Sequence, residues 1–329
     1  MKLLSLTVTT EQENLRVQDV LRDVYDVSES YLSKLKRRPG ALLKNGEPVY
    51  TTAKVQAGDT VSFDPGDPEK LPIPKIPYPL SIVREDEWLL VLDKPAGMSV
   101  HPARDPDEPT VENALASYFT GTDNPHPVSR LDKGTTGLLT VAKSGYVHAR
   151  MKTIQHMGRF QKTYLALAAG VPKEARFMID APLGPEPGST YRQCVRADGA
   201  EAKSICEVLK AVDGMSLVRL TPYTGRMHQL RVHMAYACCP LLGDWLYGER
   251  SALIDRPALH AAGLVFTHPI TGKEITLSAP IPEDMRMLLR EPDGKNGSEF
   301  PPIRLFYFAS TAGRYAACST HFVTSSSLV

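Results

Sequence analysis

Prolines crowd one segment of this chain, residues 64–79, and they limit what the flanking sequence can build. Proline lacks a backbone N–H donor and fixes φ, so neither a helix interior nor a central strand can form there. The segment favours an extended backbone that gains about 3 Å per residue. We therefore predict an N-terminal module over residues 1–63, a linker over residues 64–79 and a larger module from residue 80. We expect the linker to tether the first module rather than to pack it against the second.

The composition favours a soluble, cytoplasmic protein. The 5 cysteines are odd in number and show no Cys-x-x-Cys spacing, which argues for reduced thiols and against a disulfide framework or a zinc site. The formal net charge is +1, so any binding of nucleic acid must depend on local patches of charge. The apolar run after Met1 is too short for a signal peptide, and no stretch approaches the ~20 apolar residues of a membrane span.

The stretch from Val128 to Lys143 combines a polar loop with a buried strand. Its second half, Leu138 to Ala142, is short and apolar, which predicts a strand in the core. The loop ahead of that strand holds Asp132 among cations and glycines, and catalytic groups are often placed on such loops at the ends of rigid strands. An isolated Arg-x-Asp would more often serve only to hydrogen-bond its own loop.

The loop resembles a known family signature. Residues 129–139 read Ser-Arg-Leu-Asp-Lys-Gly-Thr-Thr-Gly-Leu-Leu, which is similar to the His-Arg-Leu-Asp-x-x-Thr-Ser-Gly-Leu-Leu motif of the RluA family of pseudouridine synthases. The departures are Ser129 in place of His and Thr136 in place of Ser. The resemblance implies that Asp132 is the catalytic residue. It also implies that Arg130 fills the gap that a flipped-out nucleotide leaves in the base stack.

A second resemblance lies further along the chain. Residues 224–233 read Thr-Gly-Arg-Met-His-Gln-Leu-Arg-Val-His, which is close to another motif of the family. We expect a helix to begin near Arg226. The resemblance implies that Arg226 pairs with Asp132, and that Leu230 of the same motif takes part in RNA binding.

A third match is a Lys-x-Tyr arrangement at the start of a predicted strand. The strand is expected over residues 161–168, after a predicted helix over residues 144–157. By itself, a tyrosine at a strand start ordinarily fills the core with its hydroxyl at the rim. The resemblance implies that Tyr164 lies against the target base in the active site.

The N-terminal module carries a basic helix. Apolar residues recur at helical spacing from Leu15 to Val24, and Ser28 is a predicted N-cap for a second helix over residues 29–36. An Asn45-Gly46 turn then joins two strands into a hairpin. This order resembles the small RNA-binding domain named after ribosomal protein S4. A run of cations is commonly a solvated face, but with the hairpin present we favour phosphate contacts. The cations concerned are Lys34, Lys36, Arg37 and Arg38.

Other parts of the larger module are interpreted as scaffold. Lys94 lies in a Lys-Pro-Ala-Gly loop that resembles the first motif of the family, and we expect a structural role for it. Trp245 and Tyr247 lie in a downstream segment that continues the match, and we expect both to fill the core. The resemblance ends near Met287, and we predict a poorly ordered tail over residues 291–329.

The resemblance implies an α+β fold, with a mixed, largely antiparallel sheet flanked by helices in a catalytic domain over residues 80–290. The implied activity is the isomerisation of uridine to pseudouridine, by family analogy in large-subunit ribosomal RNA. Because this reaction is redox-neutral, we expect no cofactor. We expect no metal either, because His228 and His233 are five positions apart, which does not bring both imidazoles onto one helix face. We expect a monomer.

Three alternatives remain open. The substrate could be transfer RNA instead of ribosomal RNA. The chain could be a non-catalytic RNA-binding protein of the same fold, although the presence of Asp132, Tyr164 and Arg226 counts against this. It could also be a nucleoside hydrolase, but glycoside hydrolysis normally needs two carboxylates, and the motifs supply one.

Overall fold

The computed structural model describes residues 3–102, 108–121 and 123–289. The predicted tail over residues 291–329 lies outside these residues. None of the helices within the described ranges has the length and apolar character needed to cross a membrane.

The N-terminal unit is a small sheet with two helices packed on it. The helices and the hairpin follow the predicted order, and the Ser28 hydroxyl caps the second helix by accepting from the Tyr31 backbone N–H at 3.2 Å. Asn45 and Gly46 both have positive φ, as a two-residue hairpin turn requires. The strands pair in the order β1-β4-β2-β3. The elements are β1 (Leu4–Thr7), a 3-10 turn (Thr10–Gln12), α1 (Val17–Tyr25), α2 (Glu29–Leu35), β2 (Leu42–Lys44), β3 (Glu47–Pro48) and β4 (Thr60–Phe63).

The larger unit is built on a 10-stranded sheet. Its first elements are β5 (Ile82–Glu85), β6 (Leu89–Lys94), α3 (Val111–Tyr118), β7 (His126–Pro127), β8 (Thr136–Ala142), α4 (Gly145–His156), β9 (Phe160–Ala169) and β10 (Arg176–Asp180). A small hairpin of β11 (Leu183–Pro185) and β12 (Gln193–Val195) lies outside that sheet. The remaining elements are β13 (Lys203–Val212), β14 (Met215–Pro222), α5 (Gln229–Tyr236), β15 (Leu259–Thr267), β16 (Glu274–Ser278) and α6 (Glu283–Met287).

The strand order of the large sheet is β10-β13-β14-β9-β15-β8-β6-β5, with β16 beside β15 and β7 beside β8. Within the described part of the chain, β8 and β15 form a parallel pair and the other pairings of this sheet are antiparallel. The predicted α+β fold with a mixed, largely antiparallel sheet is therefore confirmed.

Strand β8 forms the rigid centre of this sheet. All of its residues are buried, because neighbouring strands flank it on both edges and side chains cover both of its faces. A strand of that kind reads as a nearly continuous apolar run, which is the pattern that predicted it. The strand predicted over residues 161–168 is present as β9, and the helix predicted over residues 144–157 is present as α4.

The N-terminal unit packs directly against the larger unit, so the prediction of a merely tethered module is wrong. The Tyr146 ring of α4 lies 5.3 Å from the Phe63 ring and 5.2 Å from the Tyr31 ring. The Tyr146 hydroxyl donates to the Tyr25 carbonyl oxygen at 2.8 Å. These aromatic side chains close a hydrophobic core shared by both units. The loss of exposed apolar surface favours docking over free movement of the linker.

The proline-rich linker contains neither helix nor strand, as predicted, but it is held along the larger unit. Its Asp67 carboxylate accepts from the Gly145 backbone N–H at 2.9 Å and contacts His126 Nε2 at 2.7 Å. Further along, the Leu71 backbone N–H donates to Asn124 at 2.9 Å. The linker thus fixes the position of the N-terminal unit instead of allowing it to swing.

Gly137 allows the parallel pairing of β8 with β15. Its φ is +108°, and a Cβ atom at this position would lie 2.4 Å from the Ala261 carbonyl oxygen. Since that oxygen belongs to a sheet backbone, it cannot move aside without disturbing the pairing. Gly158, after α4, also has positive φ (+70°) but has open space around it.

We expect Gly137→Ala to destabilise the protein more than the matched control Gly158→Ala. Both changes introduce backbone strain of about 1–2 kcal/mol, and only Gly137→Ala adds the clash, which costs about 1–3 kcal/mol more. Urea unfolding followed by circular dichroism measures the difference. Equal losses of stability in the two variants would show that the close contact between β8 and β15 is not as tight as described.

Candidate active site

A cleft of about 680 Å³ opens beside the N-terminal end of β8. Its volume is in the range of sites that take a small molecule or a single extruded base. Of the described residues that line it, Asp132 is the one with a carboxylate. The lining residues with cationic side chains are Arg130, Lys152, Lys162, Arg226 and Arg231. The cleft therefore combines one anionic side chain with a strongly positive wall.

A buried lysine holds the loop that carries Asp132 through hydrogen bonds to backbone carbonyl oxygens. Lys94 Nζ donates to the carbonyl oxygens of Pro95, Met98 and Lys133 at 2.7, 2.9 and 3.2 Å. Burial lowers the pKa of Lys94 to about 7, although the charge of Asp132 acts in the opposite direction. The structural role expected for Lys94 is confirmed by these contacts.

The predicted pairing of Arg226 with Asp132 is wrong. Arg231 Nη1 lies 3.4 Å from Asp132 Oδ2, whereas Arg226 Nε donates to the Glu201 carbonyl oxygen at 2.8 Å. The reason is the start of α5, which begins at Gln229 and not near residue 226. Arg226 thus belongs to the preceding turn and lies at the exposed rim of the cleft, while Arg231 projects from the first turn of the helix.

Arg231 is held in place by a second, buried carboxylate. Asp244 accepts from Arg231 Nε at 2.8 Å and from Nη2 at 2.7 Å, in a bidentate pair, and its side chain is 0% exposed. Burial alone would lower the pKa of Arg231, but the hydrogen bonds and charge of Asp244 and the charge of Asp132 raise it overall. The guanidinium therefore stays charged, with its remaining edge turned to Asp132.

Tyr164 and Leu230 form the apolar part of the cleft wall. Tyr164 is 7% exposed on β9, and Leu230 is 6% exposed on α5. Burial raises the pKa of the Tyr164 phenol, and the charge of Asp132 adds to the effect. The phenol therefore keeps its proton throughout the neutral range. A buried aromatic ring beside a carboxylate can support a flat, uncharged ring system such as a nucleobase.

The predicted RNA-binding cations occupy two separate regions. Arg130 is exposed and lines the cleft, whereas Lys34, Lys36 and Arg37 are exposed on the N-terminal unit. Arg38 differs from them because it forms an ion pair with Asp64 and donates to the Gly66 carbonyl oxygen at 2.7 Å. The prediction that Arg38 contacts phosphate is therefore corrected to a structural contact with the linker.

The described residues contain no group of three or more His, Cys, Asp or Glu side chains that could hold a metal ion. His233, from the histidine pair of the second motif, is fully buried and lies 3.0 Å from both Ser204 Oγ and the Ala181 carbonyl oxygen. His228 faces the cleft instead.

Comparisons with known proteins identify the family of this chain. A family model for RNA pseudouridylate synthase matches residues 88–236. The chain is 35% identical over 305 residues to the uncharacterized RNA pseudouridine synthase YlyB of Bacillus subtilis (strain 168), covering 90% of this chain and 100% of that relative. The chain belongs to the RNA pseudouridine synthase family.

Two further relatives support the assignment. The synthase is 34% identical over 275 residues to ribosomal large subunit pseudouridine synthase D of Zymomonas mobilis, covering 76% of this chain and 83% of that relative. Among solved structures, human RNA pseudouridylate synthase domain containing 1 shares 28% sequence identity at a TM-score of 0.52, covering 61% of this chain and 83% of that chain. The synthase is therefore an isomerase, which moves the uracil from a nitrogen to a carbon linkage without net hydrolysis.

The turn that precedes α5 in this synthase is shaped by one glutamine. Gln229 Oε1 accepts from the Thr224 hydroxyl at 2.8 Å and from the Arg226 backbone N–H at 3.0 Å. Its amide nitrogen donates to the Lys203 carbonyl oxygen and the Ser204 hydroxyl, each at 2.9 Å. Two of these contacts hold the turn and two hold β13, so Gln229 joins them and keeps the Thr-Gly-Arg motif at a constant place on the rim.

Two residues interpreted as scaffold are exposed to a greater degree than expected. Trp245 is 51% exposed, so the prediction that it fills the core is wrong. Tyr247 lies between core and cleft, where its hydroxyl is 2.7 Å from His228 Nδ1 and its ring contacts the Arg231 guanidinium. The sequence did not predict the role of Asp244, which lies in the same segment as Trp245 and Tyr247 and meets Arg231 only in the folded chain.

We expect Asp244→Asn to lower both stability and activity. The change leaves Arg231 buried with less than its full countercharge, which costs about 3–5 kcal/mol, and it loosens the arginine that orients Asp132, which costs about 10²-fold in kcat. Urea unfolding and pseudouridine formation measure the two effects.

Asp284→Asn is the matched control, because Asp284 forms a similar bidentate pair with Arg256 but has a side chain that is 41% exposed. Because solvent screens this exposed pair, Asp284→Asn should lose less stability than Asp244→Asn. A folded Asp244→Asn variant with wild-type kcat would contradict the orienting role of Asp244.

Proposed function

We propose that this synthase isomerises uridine in large-subunit ribosomal RNA, with Asp132 as the reacting carboxylate. The observation that carries the proposal is a positively charged cleft in which Asp132 is the one carboxylate among the described lining residues, with Tyr164 buried in the wall beside it. A polyanion is attracted to such a cleft, and a detached uracil can be held between its walls. The choice of ribosomal RNA rests on relatives that carry the name ribosomal large subunit pseudouridine synthase D.

The reaction begins at the bond between the ribose and the ring nitrogen. Asp132, in contact with the Arg231 guanidinium, acts there either as a nucleophile or as the base that starts cleavage. A pair of carboxylates, as glycoside hydrolysis uses, is not found among the described lining residues. The detached uracil is therefore turned and rejoined through a ring carbon rather than released. Holding it in the aligned position contributes about 7–11 kcal/mol in well-oriented systems.

Two side chains prepare the substrate for this step. Reaching the bond inside folded RNA requires the nucleotide to leave the base stack, at a cost of a few kcal/mol. Arg130, exposed at the cleft, fills the vacated place in the stack. Tyr164 lies against the uracil once it has entered. Arg226, at the rim, contacts the phosphate backbone instead of Asp132, because its side chain is exposed and its Nε donates to the Glu201 carbonyl oxygen.

The N-terminal unit, over residues 1–63, serves as an S4-like RNA-binding domain. Lys34, Lys36 and Arg37 contact phosphates, which positions the RNA without reading its sequence. The enzyme works as a monomer, and it needs no cofactor for a redox-neutral isomerisation. Its place of action is the cytoplasm, where ribosomal RNA is modified.

We expect Asp132→Asn to abolish pseudouridine formation in a transcript of large-subunit ribosomal RNA, because the amide can neither attack nor accept a proton. Chemical mapping of pseudouridine after incubation measures the product, and release of free uracil is followed in the same sample. Asp198→Asn, at an exposed surface carboxylate paired with Arg196, is the control and should retain full activity. Product from the Asp132→Asn variant would refute the role of Asp132, and free uracil from the wild type would favour a hydrolase.

A further inference from the structure

Two nitrogen atoms approach the same oxygen of Asp132. Arg231 Nη1 lies 3.4 Å from Oδ2, and His228 Nε2 lies 3.9 Å from it. The described contacts of this carboxylate leave Oδ1 without a hydrogen bond. The two oxygens are therefore distinct: Oδ2 faces the protein, and Oδ1 is available to the contents of the cleft.

The backbone of His228 places its ring with little freedom. Its φ is +54°, a left-handed conformation that histidine tolerates better than most residues, and it directly precedes α5. The Val232 backbone N–H donates to the His228 carbonyl oxygen at 3.0 Å. The side chain is 13% exposed, so the imidazole is enclosed on most sides.

A chain of hydrogen bonds determines which ring nitrogen carries the proton. The Gln193 backbone N–H donates to the Tyr247 hydroxyl oxygen at 2.9 Å. Among the described contacts of that hydroxyl, His228 Nδ1, at 2.7 Å, is the group that can accept its proton. Burial raises the pKa of Tyr247, so the phenol keeps the proton that it donates. The tautomer in which Nδ1 accepts this proton satisfies the Tyr247 hydroxyl, and it places the ring hydrogen on Nε2, on the side of Asp132.

The charges around His228 favour its neutral form. Burial lowers its pKa below the ordinary value, and Arg231 and Arg130 lower it further. Asp132 and Asp244 act in the opposite direction, but the net change is downward. Near neutral pH the imidazole is therefore an uncharged N–H donor and not a second cation.

We propose that His228 is a positioning residue that holds Asp132 Oδ2 through a neutral Nε2–H donor, in a tautomer fixed by Tyr247. The proposal deepens the proposed function, because it depends on Asp132 being the reacting carboxylate. The separation of 3.9 Å is long for a hydrogen bond, and such contacts commonly tighten when substrate is bound.

The geometry gives the two oxygens separate tasks. Oδ1 either forms a bond to the ribose carbon as the bond to the ring nitrogen breaks, with the electron pair leaving on the uracil, or it accepts a proton from the ribose. In both cases Oδ2 becomes the carbonyl oxygen of an ester or acid. The donors on Oδ2 therefore fix the orientation of the carboxylate and leave one defined oxygen to react.

The test compares His228→Asn with His228→Gln. A glutamine amide nitrogen can take the place of Nε2 beside Asp132, whereas the shorter asparagine keeps only the contact near Tyr247. Asparagine is also the better residue for a left-handed backbone, so the asparagine variant should fold at least as well. We expect His228→Asn to lower kcat on the ribosomal RNA transcript by about 10–100-fold and His228→Gln to recover most of that loss.

The pH profile of kcat supplies a readout that a structural role would not change. In the wild type, activity falls as the pH drops through the lowered pKa of His228, because the charged imidazolium stabilises the Asp132 carboxylate and makes it less reactive. The Tyr247→Phe variant lacks the donor that favours the neutral imidazole, so its acidic limb moves to higher pH. The His228→Gln variant loses this limb.

Equal kcat values for His228→Asn and His228→Gln, or an acidic limb that Tyr247→Phe and His228→Gln leave unmoved, would overturn the proposal while the proposed function stands. Asp132→Asn, measured in the same series, separates a failure of this proposal from a failure of the proposed function. Activity in that variant would show that the reaction does not need the Asp132 carboxylate, and both proposals would then fail together.

Discussion

Arg231 lies between two carboxylates, and the active site depends on this arrangement. Asp244 is fully buried and accepts from two guanidinium nitrogens, while the third nitrogen reaches Asp132 at the cleft. A buried pair of this kind contributes little to stability by itself, but removal of either member leaves an uncompensated charge. Its value here is geometric, since it keeps a charged donor aimed at one oxygen of Asp132.

The surrounding fold keeps that arrangement rigid and connects it to the rest of the molecule. The Asp132 loop leads into strand β8, which lies in the centre of the sheet. The Lys94 side chain holds this loop by donating to the Lys133 carbonyl oxygen. Helix α4 links the two units: Tyr146 packs against the N-terminal unit, whereas His148 and Lys152 line the cleft. The N-terminal unit is thus held at a fixed position relative to the cleft.

Much of this architecture follows from local patterns. The apolar run of β8, the Ser28 cap and the Asn-Gly hairpin are determined by neighbours in the sequence, so they could be predicted. The choice between Arg226 and Arg231 could not, because it depends on where α5 begins and on a carboxylate 13 residues beyond Arg231. Docking of the N-terminal unit depends on aromatic rings that meet only in the folded chain, and the proline pattern of the linker carries no information about them.

The most direct test compares Arg231→Lys with Arg226→Lys. Lysine keeps the charge but lacks the planar fork, so it cannot bind both oxygens of Asp244 and still reach Asp132. The measurement is kcat for pseudouridine formation at saturating ribosomal RNA transcript. We expect Arg231→Lys to lower kcat by about 10²-fold. Arg226→Lys should keep kcat within a few-fold of the wild type and should weaken RNA binding instead. A large loss in Arg226→Lys together with near-normal turnover in Arg231→Lys would contradict the account.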